Sequence, residues 1–315
     1  MVGIQDVYDA HERIRDYALW TPVMTSSTID KLTDCQVFFK CENFQRAGAF
    51  KFRGAFNTVS QLTEEERKKG VIAHSSGNHA QALALAASLI GVKATIVMPK
   101  NSPQVKVNAT RGYGAEVVFC ENSTESRVQV ADELIEKHDY VLIHPYNDER
   151  IIAGAGTAAL ELIEEVEDLD YIFCPVGGGG LLSGTSIATK NLCPKSVVIA
   201  VEPENADDAF RSFRDGKIYP SVNPNTIADG LRTQLGEVTF RVIQKNVDSI
   251  ITVTEEEIVG AMRLLWERMK MVVEPSGAVS LAGLLKMKDE LYDKRVGVII
   301  SGGNTDLTEF FSQLL

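Results

Sequence analysis

From Val71 onward, short apolar runs alternate with stretches patterned for helices. Val71-Ile-Ala, Ala94-Thr-Ile-Val-Met, Glu116-Val-Val-Phe-Cys and Tyr140-Val-Leu-Ile read as strands. Between them, residues 80–90 are almost wholly apolar and predict a buried helix, with Gly91 placed to stop it. Ser102-Pro103 predicts an N-cap and first-turn proline for a helix reaching Tyr113, and Val128, Ala131, Leu134 and Ile135 mark another.

The flanking segments are less regular. Ile4, Val7, Ala10 and Ile14 share one helical face, residues 21–26 and 36–42 read as strands, and a helix follows Lys51 through Leu62. The charged stretch 64–69 reads as a solvated face. A second series opens with a helix bearing Ala155, Ala159, Leu162, Ile163 and Val166. It continues with the strand Tyr171-Ile-Phe-Cys, a helix from Leu181 and the strand Ser196-Val-Val-Ile-Ala-Val. Residues 209–247 read as irregular. Thr254 and Glu257 form a capping box for a helix carrying Ile258, Met262, Leu265 and Met269, and Val296-Gly-Val-Ile-Ile is the last strand. Strands alternating with helices predict an α/β fold of two open, twisted, parallel-sheet domains. The expected division is a large domain of 1–69 and 148–315 with a small, mobile one of 70–147 inserted in it. Ligands of such sheets lie beyond the carboxyl ends of the strands, where the turns 74–79, 144–148, 177–180 and 301–304 fall.

The 315 residues, 44% hydrophobic and 24% charged, suit a soluble enzyme. A net charge of −11 argues against nucleic-acid and anionic-membrane partners, both of which need clustered basic residues. Cys35, Cys41, Cys120, Cys174 and Cys193 have neither metal-knuckle nor CxxC spacing, and predict reduced thiols. With no leader-like N-terminus and no apolar run long enough for a bilayer, the cytoplasm is the expected compartment.

Four places carry candidate chemistry. Ala47-Gly-Ala-Phe-Lys51-Phe-Arg-Gly54 sets one lysine after a small-residue turn, as a Schiff-base lysine in a desolvated pocket requires; a solvated surface lysine is the plain alternative. Gly177, Gly178, Gly179 and Gly180 stand between a strand and a helix start, where bare N–H groups and the helix dipole make an anion cradle rather than a merely flexible connection. GxGxxG and Walker A patterns are both absent, which points to a compact phosphorylated cofactor. His74 and His79 flank Ser75-Ser-Gly-Asn78, a turn suited to gripping a carboxylate or phenolic oxygen, although a lone histidine is more often structural. Glu202, Glu204, Asp207 and Asp208 form either a hard-cation site or a solvated acidic turn.

Together these blocks resemble the fold-type II pyridoxal-phosphate enzymes, and in particular the serine racemases and the serine, threonine and 3-hydroxyaspartate dehydratases. The resemblance rests on Phe39-Lys-Cys-Glu-Asn, Phe50-Lys51, Ser75-Ser-Gly-Asn-His, Ile143-His-Pro-Tyr-Asn, the tetraglycine run, Glu202-Pro with Asn-Ala-Asp-Asp208, Ile227-Ala-Asp-Gly, Val273-Glu-Pro and Ser301-Gly-Gly-Asn. It implies Lys51 as the covalent anchor and base, and Ser76 as the proton donor on the opposite face. Phe50 and Asn78 would contact the cofactor ring and its phenolic oxygen, Gly177 to Gly180 its phosphate, and Ser301 its pyridine nitrogen. The turn Ser75, Ser76, Gly77, Asn78 and His79 would bind the substrate amino acid, with Arg127 at the entrance. Glu202, the Ala206 carbonyl and Asp208 would hold Mg2+, Ca2+ or Mn2+. The resemblance also implies a homodimer, leaves ATP open as an activator, and lacks the extra regulatory domain of biosynthetic threonine dehydratases. Racemisation of serine with β-elimination to pyruvate and ammonia is the leading expectation, and L-threonine or threo-3-hydroxyaspartate ammonia-lyase activity the alternative. Ser76 favours the first, because simple threonine dehydratases commonly carry alanine there. Ala49, Ala155 and Tyr146 depart from many relatives and bear on substrate choice.

Overall fold

The computed structural model describes residues 1–306. The first part runs α1 (Ile4–Ile14), β1 (Val23–Met24), α2 (Ser27–Thr33), β2 (Gln36–Cys41), α3 (Lys51–Ser60) and α4 (Glu64–Lys69). A middle part alternates β3 (Val71–His74), α5 (Asn78–Leu89), β4 (Ala94–Pro99), α6 (Gln104–Gly112), β5 (Glu116–Cys120), α7 (Thr124–His138) and β6 (Val141–Leu142). The last part is α8 (Glu149–Glu165), β7 (Tyr171–Pro175), α9 (Gly180–Leu192), β8 (Val197–Pro203), α10 (Asp208–Asp215), α11 (Glu237–Asn246), β9 (Ser249–Val253), α12 (Glu255–Leu264), α13 (Pro275–Met287) and β10 (Arg295–Ile300).

Two sheets result. The larger has the order β1-β2-β10-β7-β8-β9 and the smaller β5-β4-β3-β6. Every pairing is parallel except β1 with β2. A parallel sheet needs helices on both faces, and the period-2 alternation of its strands supplies two apolar surfaces. In the larger sheet Phe173, Val201 and Val298 pack with α2, α12 and α13, while Ile172, Cys174, Ala200 and Ile299 pack with α8, α9 and α11. In the smaller one Ala73, Ile96 and Met98 face α3 and α5, and Ile72 and Val97 face α7.

Helix α3 joins the two sheets. Phe52, Ala55, Phe56 and Val59 pack into the smaller sheet's core beside Ala80 and Leu83. Its other side meets α8 with no side chain between. A Cβ on Gly54 would fall 2.8 Å from the Ile151 carbonyl oxygen, and one on Gly154 2.7 Å from the Gly54 Cα. The same device repeats between α8 and α9, where a Cβ on Gly184 would lie 2.4 Å from the Gly156 nitrogen. Two close helix contacts therefore fix α3, α8 and α9 against one another.

A buried ionic cluster pins the start of α3. Arg53, fully buried, donates from Nε and Nη2 to Glu42 at 2.7 and 2.9 Å. It also donates from Nη1 and Nη2 to Glu161 at 2.6 and 2.7 Å. Lys40 Nζ lies 2.7 Å from Glu161 and donates to the Thr21 carbonyl at 2.6 Å, while Thr21 Oγ1 donates to Glu42 at 2.5 Å. Two cations balance two carboxylates, and every charged group is hydrogen-bonded, as burial of charge demands. Burial alone would raise the Glu42 carboxyl, but the adjoining Arg53 holds it below its usual range.

Several expectations need correction. Residues 209–247 are not uniformly irregular: α10 and α11 lie there, each closed off by a glycine neighbour, Gly216 after α10 and Gly236 before α11. The strand expected over 21–26 shrinks to Val23–Met24, because Pro22 has no N–H and Ser26 is already the N-cap of α2. Ser102 does not cap α6; Pro103 holds the cap position, and no side-chain cap bond forms. Helices α2 and α13 and strand β9 add elements the sequence pattern passed over. Helix α12 stops at Leu264 and gives way to a π turn over Leu265–Met269, which ends at Lys270 with φ of 59°.

Candidate active site

The expected polar and glycine-rich turns follow the carboxyl ends of β3, β6, β7 and β10. The turn before α3 is shaped to bring its first residue inward. Ala47 and Gly48 take φ of 56° and 70°, and a Cβ on Gly48 would come 2.3 Å from Asn304 Oδ1, so any side chain there would strain the backbone and displace Asn304. Ala49 then bridges Gly302, and the Phe50 N–H donates to the Ser301 carbonyl at 3.0 Å. This ties the lysine turn to the loop after β10.

Lys51 opens α3, and its Nζ donates to the Pro145 carbonyl at 2.9 Å, 5.0 Å from the Phe50 ring centroid. Burial lowers its pKa to about 8, with Glu274 opposing the shift. An amine that exchanges its proton near neutral pH suits both nucleophilic and base chemistry. The loop supplying that carbonyl is stiffened by His144, whose Nδ1 accepts from the Tyr146 and Asn147 N–H groups at 3.2 and 2.8 Å. Burial drops His144 to about 4 and His79 to about 3, so both rings are neutral. His79 spends Nε2 on the Ile143 carbonyl at 3.0 Å. Its buried Nδ1 has no hydrogen-bond partner among the described residues.

The tetraglycine run lies against the same loop. A Cβ on Gly178 would strike the Tyr146 ring at 2.2 Å, one on Gly177 would reach the Leu231 Cα at 2.9 Å, and Gly179 has φ of 87°. Any side chain here would fill the cradle or strain the backbone. Helix α9 starts at Gly180 without a side-chain cap, so its first N–H groups remain for an anion. Thr239 Oγ1 fixes the loop by donating to the Gly178 carbonyl at 2.9 Å.

Ser75, Ser76, Gly77 and Asn78 are half-buried between β3 and α5, and a Cβ on Gly77 would meet open space. Asn78 Nδ2 donates to Glu274 at 2.7 Å, and its Oδ1 accepts from Asn304 Nδ2 at 2.9 Å. Ser301 is buried, its hydroxyl 3.4 Å from the Ser276 carbonyl oxygen. Arg127, in the first turns of α7, stands near enough to His74 to oppose its protonation alongside burial. Lys106 and Asp229 pair at 2.5 Å, joining α6 to the 229–231 turn.

At the carboxyl end of β8, Glu202 accepts from the Ala209 and Phe210 N–H groups at 3.0 and 2.8 Å. Neither carboxylate oxygen of buried Asp208 has a hydrogen-bond partner of normal geometry. Burial and mutual repulsion push Glu202 well up; burial, partly offset by the nearby Ser221 hydroxyl, takes Asp208 to about 6. Among the described residues no three His, Cys, Asp or Glu side chains converge as a metal cluster. The unpartnered Asp208 oxygens are donors of the kind a hard cation takes.

Sequence reasoning gave no role to Glu274, Arg53 or the Pro145 carbonyl. Glu274 stood in a quoted motif, but only burial distinguishes it from a surface acid.

The profile of the pyridoxal-phosphate dependent enzyme family matches residues 14–302. The chain is 52% identical to the L-threo-3-hydroxyaspartate ammonia-lyase of Saccharomyces cerevisiae, covering 97% of this chain and 94% of that one. It is equally 52% identical to the serine racemase of Dictyostelium discoideum, over 98% and 96%. The structure of maize serine racemase superposes with a TM-score of 0.96 at 44% identity, covering 99% of this chain and 97% of the other. With a lysine turned inward beside a glycine-built anion cradle, and with matches that span nearly its whole length, this chain belongs to the pyridoxal-phosphate dependent enzymes.

Proposed function

We propose that the protein is a serine racemase that also dehydrates serine to pyruvate and ammonia. Relatives of both activities are equally similar, so identity does not choose between them. The observation that carries the reading is Ser76, a half-buried hydroxyl in the turn that precedes α5. When bound, pyridoxal phosphate supplies the electron sink that makes the substrate α-proton acidic. Lys51 removes or returns that proton on one face, and the Ser76 hydroxyl does so on the other. Racemisation needs both; dehydration from the L-isomer needs only the lysine face, with the β-hydroxyl leaving as water. Gly177 to Gly180 hold the phosphate, Phe50, Asn78 and Ser301 orient the ring, and Ser75, Gly77 and His79 shape the carboxylate site. Arg127 guards the entrance, and the unit 70–147 closes over the substrate.

Ser76→Ala is therefore expected to cut D-serine formation by about 10²-fold or more while L-serine dehydration persists. Incubation with L-serine in deuterated water, followed by D-serine, pyruvate and α-deuterium assays, measures both. Equal loss of the two activities shows that Ser76 is not a face-specific acid. A variant and wild type that dehydrate 3-hydroxyaspartate or threonine, with no D-serine from either, establish the ammonia-lyase reading instead.

Glu202, the Ala206 carbonyl and Asp208 would bind Mg2+, Ca2+ or Mn2+, supported by the orphaned Asp208 oxygens. Without a cation, the raised Asp208 pKa means its favourable contribution is full below the unfolded value and is lost as pH rises through about 6. A cation reverses that loss, so its effect grows above pH 6. Adding a divalent ion at about 100 times its Kd should stabilise the fold by about 2.7 kcal/mol. Thermal unfolding with Mg2+ and with EDTA checks this: the Tm shift should shrink at pH 5 and vanish in Asp208→Asn. A full shift in that variant places the ion elsewhere.

The same resemblance supports a homodimer and ATP as a candidate activator. Five free cysteines, four of them buried, fit the cytoplasm. No helix among the described residues is long and apolar enough to cross a membrane.

A further inference from the structure

Glu274 is a fully enclosed acid that the proton transfers do not use. It caps α13 next to Pro275, and its N–H donates to the Gly302 carbonyl at 3.2 Å. Its Oε1 accepts from Asn78 Nδ2 at 2.7 Å, and a Cβ on Gly302 would lie 2.6 Å from that oxygen. The other end of the Asn78 amide is held too. Asn304 Nδ2 donates to Asn78 Oδ1 at 2.9 Å and to the Ala47 carbonyl at 2.7 Å, in the turn that delivers Lys51.

An asparagine amide has two N–H donors and one oxygen, and unaided it can flip. Here the oxygen must face Asn304 and one N–H must face Glu274. The second N–H and the oxygen's second lone pair are not engaged by these partners, and of the two only the N–H can donate to an oxygen anion. We propose that Glu274 is a positioning residue for the reaction: with Asn304 it fixes the Asn78 amide so that its remaining N–H is presented to the cofactor's phenolic oxygen. This rests on the assignment of Asn78 to that oxygen under the proposed function.

The acid works in its neutral form. Burial raises Glu274 to about 8, Asp229 reinforces the shift from the 229–231 turn, and the Asn78 amide on α5 and Lys106 on α6 oppose it, as does the Asn304 N–H. Lys51 on α3 feels its charge once Glu274 ionises. A protonated carboxyl still offers its carbonyl oxygen to Asn78. It also places no full negative charge beside a phenolic oxygen that carries one. Ionisation above pH 8 adds that repulsion.

Three variants test this through binding and spectra as well as turnover. Glu274→Gln keeps a neutral acceptor in place, Glu274→Ala removes it, and Asp229→Asn leaves Glu274 intact but lowers its pKa. Apoprotein titrated with pyridoxal phosphate should bind about tenfold more weakly in Glu274→Ala, the loss of one buried hydrogen bond, and within about threefold of wild type in Glu274→Gln. The visible band of the bound cofactor should show an inflection near pH 8 that is absent in Glu274→Gln and moves to lower pH in Asp229→Asn. Wild-type affinity in Glu274→Ala overturns the inference, as does Glu274→Gln that binds as poorly as Glu274→Ala or keeps the inflection. If Glu274→Ala does not fold, the other two variants still decide. Wild type that fails to bind the cofactor through Lys51 sinks the functional assignment itself, a different result from intact binding indifferent to Glu274.

Discussion

Lys51→Ala is expected to lower both racemisation and dehydration of L-serine by about 10²–10⁴-fold, the range for loss of a positioned acid–base group. The variant should still capture pyridoxal phosphate. The cradle at Gly177 to Gly180 and the α9 N-terminus make no use of the lysine, and the glycine contacts that set α3 against α8 are untouched. Affinity and turnover should therefore separate. Borohydride reduction and intact mass provide the check: the cofactor mass is retained on wild type and lost from the variant. A covalent adduct that survives in Lys51→Ala identifies a different lysine and overturns the site. The pH dependence follows from the environment of the free amine. Its pKa of about 8 reflects burial only partly countered by Glu274, so apoprotein should capture cofactor faster as pH rises toward 8.

The second large effect is on stability. Arg53→Met removes a fork that serves Glu42 and Glu161 together, leaving two buried carboxylates with Lys40 as the nearby cation. Removing one partner from such a cluster costs about 3–5 kcal/mol, a large share of the stability of any domain. Denaturant unfolding of apoprotein should show it. The sign with pH is informative. In wild type the Glu42 pKa lies below its usual value, so the cluster stabilises above the unfolded carboxylate range and is lost as pH falls through the folded value. In the variant the carboxylates can escape their unpaired charge by taking up protons, so its deficit should be smaller at pH 5 than at pH 8. Arg53→Lys restores charge without the five-donor fork and should recover only part of the loss. A deficit that is independent of pH would show that the loss comes from packing rather than charge.

Much of the site was legible because its chemistry is carried by local pattern. Most strands of both sheets stand out as apolar runs, and β3, β6, β7 and β10 end in turns rich in glycine, serine or asparagine. That is why Lys51, Asn78, the tetraglycine run and Ser301 could be named together. The buried acids and bases were not legible. Lys40 interrupts an apolar strand and Glu42 follows it directly, and that placement is the one local sign that they are inside. Glu161 and Arg53 sit on helices, where charge ordinarily means solvent. Glu274 has the same composition as any surface glutamate, and only the approach of Asn78 and Gly302 changes its character. Helices α10 and α11 were missed for a related reason. Each is short, with buried residues at few positions, and glycine beside each reads as a break before the periodicity accumulates.

The close contacts of Gly54 with Gly154 and of Gly156 with Gly184 have a metrological consequence. Helices α3 and α9 begin at Lys51 and at Gly180, the last residue of the tetraglycine run, and α8 spaces them with backbone touching backbone. A span built from side chains can be retuned in small steps, by a methylene here or a rotamer there. A span built from bare backbone has no such adjustment, and its next available setting is a whole methyl group wider. The span from the Lys51 amine to the tetraglycine run is in effect quantised, so with the roles proposed above this scaffold would be calibrated to a cofactor of one length. On the same proposal, changes of substrate would be accommodated elsewhere, in side chains such as Ser76, Asn78 and Tyr146.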